Sequence, residues 1–594
     1  MSPLRPFLIA ACLGASCPSW AEVATAQPVP TDAPAELPKA TDSMPLATDV
    51  PAAVPSSNVT VNLINRLVQK GILTQPEALE LIKQAQADAA IAAQNAAAAD
   101  APVPAADELR VSYIPEVVRN QMRDQIKQDL MAQAREDKWS VKPSADWTSK
   151  FRPYGDIRVR YDGTFFPAAN DNTFGAFPNF NAINTVAPYD RFSNQLVLPQ
   201  YNVDQNRQRA RLYARLGTEI MLGEGFNAGL CLGTGDSNTP TSLNQTLGGS
   251  GGNFSKYQLW LDKAFVSYDA GPGDGEELTF FLGRFANPFF CTDVQWDPDL
   301  GFDGAALRGK VKLTDNVSTF FTAGAFPVYN TDFNFASNQS AKFTSTDKWL
   351  AGAQLGIDWK INKDLAAKVA LSYYDFHHIE GRLSSPFTPL NTSDAGNTDT
   401  TRPGFAQRGN TYMELRNIVL TPATTYPSIN SQYQYYGLAT PFRNLTLTGK
   451  LDYDHFEPLR VSLLGEVTKN VAYNNSAISQ IAVNNFAPIE NGGNFAGGDL
   501  AWNLAFQVGN PALEAFGEWQ AGVGYRYVES DAIVDGFTDS DFGGGGTNLK
   551  GFTLGGKFAL SKAVYCGLRW MSSNEIAGPP LKSDTLQIDL HAKF

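Results

Sequence analysis

Two segments of this chain carry ordered positive charge. In 151–162, Arg152, Tyr154, Asp156, Arg158 and Arg160 recur at every second residue. In 206–219, Arg207, Arg209, Arg211, Tyr213 and Arg215 do the same, while Leu212, Leu216 and Ile220 take the other parity. A period of two is that of a β-strand, so each set shares one face. Arginine stays charged at any physiological pH, and hydrocarbon does not tolerate so many guanidinium groups. The polar set must face water. The chemistry it offers is electrostatic: a ladder of fixed cations on one inner wall, Arg152, Arg158, Arg160, Arg207, Arg209, Arg211 and Arg215. The competing reading is a solvated face whose arginines are matched by scattered carboxylates.

A second candidate follows Gly283-Arg284. Asn287-Pro288-Phe289-Phe290, Asp293 and the run from Trp296 to Gly304 mix aromatics with acids, which is unusual for an exposed loop. Such a loop has apolar bulk to pack back against something. The expectation is that it folds into a lumen and narrows it, with Asp293, Trp296, Asp297, Asp299 and Asp303 facing the arginines. A transverse field across such a constriction orients charged solutes. A Ca²⁺ loop made by the four aspartates fits less well, because Pro298 and the spacing do not match the known loop geometry. Other sites are weaker. His377-His378 lacks spaced partner ligands. Asp535, Asp539 and Asp541 precede Gly543 to Gly546 and read as a flexible acidic loop rather than a Ca²⁺ site. Gly555-Gly556 sits inside a strand pattern and is no phosphate loop. None of the four histidines lies in a catalytic motif.

The elements that must position these residues are long alternating strands. Trp349, Ala351, Ala353, Leu355, Ile357 and Trp359 oppose Gly352, Gln354, Asp358 and Lys360; the last ten residues alternate likewise and end at Phe594. The pattern predicts sixteen strands, near 151–166, 206–222, 225–236, 257–270, 276–287, 303–314, 317–330, 348–361, 365–379, 433–456, 459–470, 499–510, 516–529, 547–560, 563–574 and 585–594. Short turns and long loops alternate between them. An even count with that asymmetry, and strands longer than the usual ~5–6 residues, suits a closed transmembrane barrel rather than a soluble sandwich. Trp349 and Trp359 fit two interfacial girdles. No run of ~18 apolar residues follows the amino-terminus, so no spanning helix is expected. Mean hydropathy is −0.23, which does not exclude a barrel, whose alternation hides its apolar face.

Upstream, 1–21 reads as a secretory signal, with Arg5 before an apolar core at Phe7 to Leu13. Residues 22–57 are a Pro/Ala-rich disordered linker. Residues 58–140 predict periplasmic α-helices: Leu63, Ile64, Leu67 and Val68 form one stripe, and Thr74 to Glu77 a capping box. Too little apolar surface exists there to fold alone, so this segment suits oligomerisation. The barrel is expected over 147–594. Net charge is −13, which argues against nucleic-acid binding. Cys231, Cys291 and Cys566 remain after the signal and form neither a disulfide scaffold nor a metal cluster.

The Arg-rich first strand, the Gly283-Arg284…Asn287-Pro288-Phe289…Trp296-Asp297-Pro298-Asp299-Leu300…Phe302-Asp303-Gly304 run and terminal Phe594 resemble the putative porin family of Gram-negative bacteria. The resemblance covers most of 110–594. It implies an all-β outer-membrane barrel that passes small hydrophilic solutes or ions, and it supplies no substrate. Phe594 is then the C-terminal barrel signature. Neither cofactor nor metal is expected. Expected partners are outer-membrane lipid, the permeating solutes, further copies of the chain as a trimer, and peptidoglycan for the helical segment. Two rival readings are a barrel-anchored hydrolase, with Asp375, His377 and Ser384 as its crowded candidates, and a structural tether to the cell wall.

Overall fold

The computed structural model describes residues 148–594 apart from 192–197, 250, 272–275, 332–341, 390 and 420–431, together with Leu79 and Lys83. The signal, the linker and nearly all of the expected helical segment lie outside the described residues; Leu79 and Lys83 are helical and exposed.

Sixteen long antiparallel strands form the wall. They are β1 (Phe151–Phe165), β2 (Arg207–Gly223), β3 (Phe226–Thr234), β4 (Leu259–Asp269), β5 (Glu277–Ala286), β6 (Gly301–Lys312), β7 (Val317–Tyr329) and β8 (Lys348–Lys360), followed by β9 (Leu365–His377), β10 (Phe442–Phe456), β11 (Leu459–Asn470), β12 (Leu500–Gly509), β13 (Trp519–Val528), β14 (Leu549–Ala559), β15 (Val564–Glu575) and β16 (Lys582–Lys593). Each pairs with its sequence neighbours, and β1 also pairs with β16, from Asp156↔Lys593 to Phe165↔Asp584. That pairing removes both sheet edges. The terminal residue extends the seam: Gly155 and Phe594 exchange backbone hydrogen bonds of 2.9 and 3.0 Å. A Cβ on Gly155 would lie 2.5 Å from the Phe594 ring, so glycine is required under that aromatic.

The expected strand count and the alternation of short turns with long loops are both present. One expected strand was too long. The 433–456 pattern splits, because Tyr433–Gln434 pairs with Tyr189–Asp190 and Tyr436–Leu438 pairs with Tyr412–Glu414, all within loops. Only Phe442–Phe456 belongs to the wall.

The distribution of apolar side chains is inverted relative to a soluble domain. Leu216, Leu282, Leu355 and Leu554 are more than half exposed on the outer face, and Trp349 and Trp359 are exposed there too. The buried core lies inside the barrel. Phe285, Phe302, Phe326, Leu350, Tyr374 and Phe376, from β5 to β9, pack against Phe180, Trp296, Tyr412, Leu438 and Val534 of the loops. One side of the lumen is thus filled with aromatic side chains.

Candidate pore and constriction

The inner face of β1 carries Asp156, Arg158, Arg160 and Asp162, while Ile157 and Val159 are exposed on the outside. In the register with β2, Asp156 faces Arg215, Arg158 faces Tyr213, Arg160 faces Arg211 and Asp162 faces Arg209. The sequence ladder is therefore one physical wall, and most of its rungs are paired. Arg215 donates to both oxygens of Asp156 at 3.0 and 3.4 Å. Arg209 and Arg211 share Asp162 at 3.2 and 3.3 Å. Arg160, 4% exposed, donates twice to Asp589 of β16, at 2.7 and 2.9 Å, and once to Asp541 at 3.0 Å. So deeply placed a guanidinium is tolerable only with such partners. Arg158 differs: its partners are the Asn244 amide oxygen at 2.9 Å and the face of the Tyr213 ring at 4.6 Å. Arg152 and Arg207 are exposed, near opposite ends of the wall.

The 287–300 loop folds inward, as its apolar bulk predicts. Phe290 exchanges hydrogen bonds with Gln354 of β8, from its backbone N–H at 2.9 Å and to its carbonyl at 2.7 Å. Thr292 donates to Glu466 of β11 from its N–H and its hydroxyl, at 2.9 and 2.8 Å. Trp296 packs edge-on against Phe302 and Tyr374. Gln354 and Glu466 thus pin the loop across the lumen.

Its acids do not form one row facing the ladder. Asp293 pairs with Arg526 of β13 at 2.8 Å. The buried carboxylate of Asp297 accepts the backbone N–H groups of Asp299 and Ser540 at 2.8 and 3.0 Å. Burial, reinforced by Asp299 and Asp539, pushes its carboxyl up to about 9. Asp299 is also raised by burial, against the pull of Arg158. Asp303 corrects the expectation outright: it belongs to β6, opposite Arg284, and bonds that guanidinium at 2.9 Å on the outer surface. Phe302 is the inward neighbour; a shift of one residue exchanges faces.

The sequence reading missed a second inward loop, 529–548. Asp539 takes Arg526 at 2.8 Å, so Asp293 and Asp539 clamp one guanidinium between two loops. Asp541 bridges Arg160 of β1 and Arg569 of β15. Burial alone would raise Asp541, but Arg569 and Arg160 together outweigh it and hold the carboxyl below the usual range. Asp539 is raised by burial despite Arg526, with Asp293 adding to the effect. The two loops also join directly: Asp297 N–H donates to the Phe537 carbonyl at 2.8 Å and Thr538 Oγ1 to the Val294 carbonyl at 2.7 Å. This clasp spans the lumen from β1 to β13. The one signal available in sequence was the placement of Arg526 and Arg569 on inner parities.

Beneath the clasp a cavity of about 610 Å³ runs along β12 to β16 and β1. Ala505, Gly522, Gly524, Gly555 and Gly567 leave gaps on its inner wall, between the inward side chains of Gln507, Arg526, Lys557 and Arg569. Gly555-Gly556 owes its meaning to this space. The aromatic side of the lumen and this hollow side face each other.

The hydrolase candidate does not assemble. Asp375 and His377 lie 3.8 Å apart on the outer rim, and Asp375 also meets Arg443. Ser384 is buried and donates to the Ser385 carbonyl instead.

The sequence profile of the family described as "Putative porin" matches residues 57–594. The chain belongs to that family, and it is a porin channel. Among solved structures it is similar to the outer membrane channel DcaP of Acinetobacter baumannii (TM-score 0.33, 11% identity, 75% of this chain and 97% of that one). It is also similar to OprB of Pseudomonas putida (0.39, 12%, 77% and 97%) and to an anion-selective porin from Comamonas acidovorans (0.34, 12%, 75% and 99%). A search of curated proteins returns no match. Family and fold together indicate an outer-membrane location.

Proposed function

We propose that this porin passes small hydrophilic solutes and ions passively across the outer membrane of a Gram-negative bacterium, along the hollow side of its barrel. The observation that carries this path is the cavity under the clasp, walled by inward glycines and polar groups rather than by the aromatic core. The arginine wall of β1 and β2 and the 287–300 and 529–548 loops form the constriction in this reading. The chemistry is that of a selective passage, with no cofactor and no catalysis. The remaining assignments complete it: a signal at 1–21, a linker at 22–57, a periplasmic helical segment at 58–140 that associates three copies, and the barrel from 147. The experiment is single-channel conductance of the refolded chain in planar bilayers, with reversal potential in a KCl gradient. Stepwise openings with anion preference are expected. A folded barrel that does not conduct overturns the proposal.

A further inference from the structure

The charges around the cavity do not balance locally. The acids that face it or lie just above it are already engaged. Asp589 takes two hydrogen bonds from Arg160. Asp541 bridges Arg160 and Arg569, Asp293 and Asp539 share Arg526, and Asp156 takes Arg215 and the His591 ring at 3.0 Å. Three cations on the same inner faces have no carboxylate within ion-pair distance among the described residues, Asp299 of the 287–300 loop acting on Arg158 only through the field between them. They are Arg158 of β1 and Lys557 of β14, which line the cavity, and the exposed Lys593 of β16, which reaches the Tyr565 ring from beside it.

The two lysines flank one ring, and Arg158 is within electrostatic reach of it. The Lys557 and Lys593 ammonium groups lie 5.5 and 5.7 Å from the centre of the Tyr565 ring, whose hydroxyl bonds His591. Lys557 is within electrostatic reach of Lys593, Arg569 and Arg158, with Asp589 as the opposing charge. Arg158 has a neutral amide for a partner, and its Nε is buried with no acceptor. Like charges brought together at a low-dielectric wall repel, and the field they sum to attracts a counter-ion. Lysines suit a transient ligand, being point charges on flexible stems. The cavity falls within the roughly 300–1,000 Å³ of small-molecule sites.

We infer that Arg158, Lys557 and Lys593, around Tyr565, form a binding site for a small doubly charged oxoanion, a phosphate or a dicarboxylate, in the water path. The site rests on the channel reading above and gives it a solute class. Two negative charges meet three cations there, so the site prefers such solutes to chloride.

The test uses the full chain refolded in detergent and titrated calorimetrically with inorganic phosphate at about pH 8, where it is largely dianionic, and separately with malonate. Saturable binding is expected in the wild type. The Lys557→Gln/Lys593→Gln double variant should weaken it about tenfold or more, the equivalent of one lost charge-assisted hydrogen bond. Lys363→Gln, in a turn on another part of the wall, should leave it unchanged. Binding of phosphate alone points to phosphorylated solutes, and of malonate alone to dicarboxylates; either supports the site. Absence of saturable binding to a folded barrel, or equal affinity in the double variant, overturns it. In bilayers the bound anion should reduce chloride current. A barrel that binds but does not conduct upholds the site and overturns the channel reading. One that conducts but binds neither anion does the reverse.

Discussion

Replacing Asp541 by Asn removes the charge that ties β1 and β15 to the 529–548 loop, with little change in shape. Its carboxylate accepts from Arg160 at 3.0 Å and from Arg569. Arg160 keeps both bonds to Asp589, and Arg569 keeps the Gln587 amide oxygen at 2.9 Å, so neither guanidinium is stranded. Breaking a fully buried pair costs about 3–5 kcal/mol. Here the side chains of Asp541 and Arg569 are 19% and 32% exposed, and solvent screening lowers the loss in loop seating to about 2–3 kcal/mol. With tenfold per about 1.4 kcal/mol, the unseated population should rise roughly 30- to 150-fold. The assay is hydrogen exchange at the Ser540 and Asp541 amides, which donate to Asp297 at 3.0 Å and to Asp539 at 2.9 Å. Their protection should fall by that factor in D541N while the strand amides of β13 and β14 hold theirs. Bilayer currents should become noisier as the loop enters the water path. Unchanged protection across 537–545 would refute the clasp as an electrostatic device.

Burial raises the carboxyls of Asp531 and Asp535 to about 6 and about 7. Both bind protons more tightly in the fold than at the ordinary 3.8, so the support their neutrality gives is complete below that value and gone above about pH 7. Protection at the Thr411 and Asp535 amides, corrected for intrinsic exchange, should fall between pH 4 and 7 and then level off, and D535N should flatten the upper part of that fall; a flat wild-type profile contradicts the reasoning. Gly155→Ala puts a Cβ 2.5 Å from the Phe594 ring and 2.8 Å from the Arg215 carbonyl oxygen. It should lower the fraction of barrel that closes, read as heat-modifiable mobility on gels, and a wild-type folded fraction would deny the seam its role. Glu466 holds Thr292 and Thr448 through three hydrogen bonds. E466A should free the 287–300 loop at a cost of about 1–3 kcal/mol, and E466Q at less, again by exchange at the Thr292 amide.

The wall was legible because barrel strands repeat a period of two over a dozen residues and end at turn residues. The same rule misled at 433–456, since Tyr433, Gln434 and Tyr436–Leu438 alternate too but pair inside loops. Asp303 was misplaced because the acidic and aromatic run crosses from loop to strand at Gly301, and parity then sends Phe302 inward and Asp303 outward. The 529–548 loop looked flexible for its glycines. At Gly545 and Gly546, both with positive φ, a Cβ would lie 1.8 Å from Gln407 Oε1 and from the Arg408 carbonyl oxygen. Those glycines serve close packing, not mobility. Arg160 and Asp541 are 381 residues apart, and no local pattern announces such a pair.

The two halves of the lumen have one cause in common. Both are written on the inward parity of the strands, where β5 to β9 place Phe285, Phe302, Phe326, Tyr374 and Phe376 while β12 to β15 place Ala505, Gly522, Gly524, Gly555 and Gly567 between polar side chains. Aromatic rings fill their side, and the loops bury their own apolar residues against them. That packing seats the apolar part of the loops on one wall, and the acids tie them to β1, β13 and β15 above the hollow. In the proposed path, water and solute run along the hollow side, where Arg158, Lys557 and Lys593 have no carboxylate at ion-pair distance among the described residues. On that proposal, selectivity follows from the asymmetry of packing as much as from charge. Filling the hollow, with Gly555→Val for example, should reduce conductance even though every charged residue stays in place.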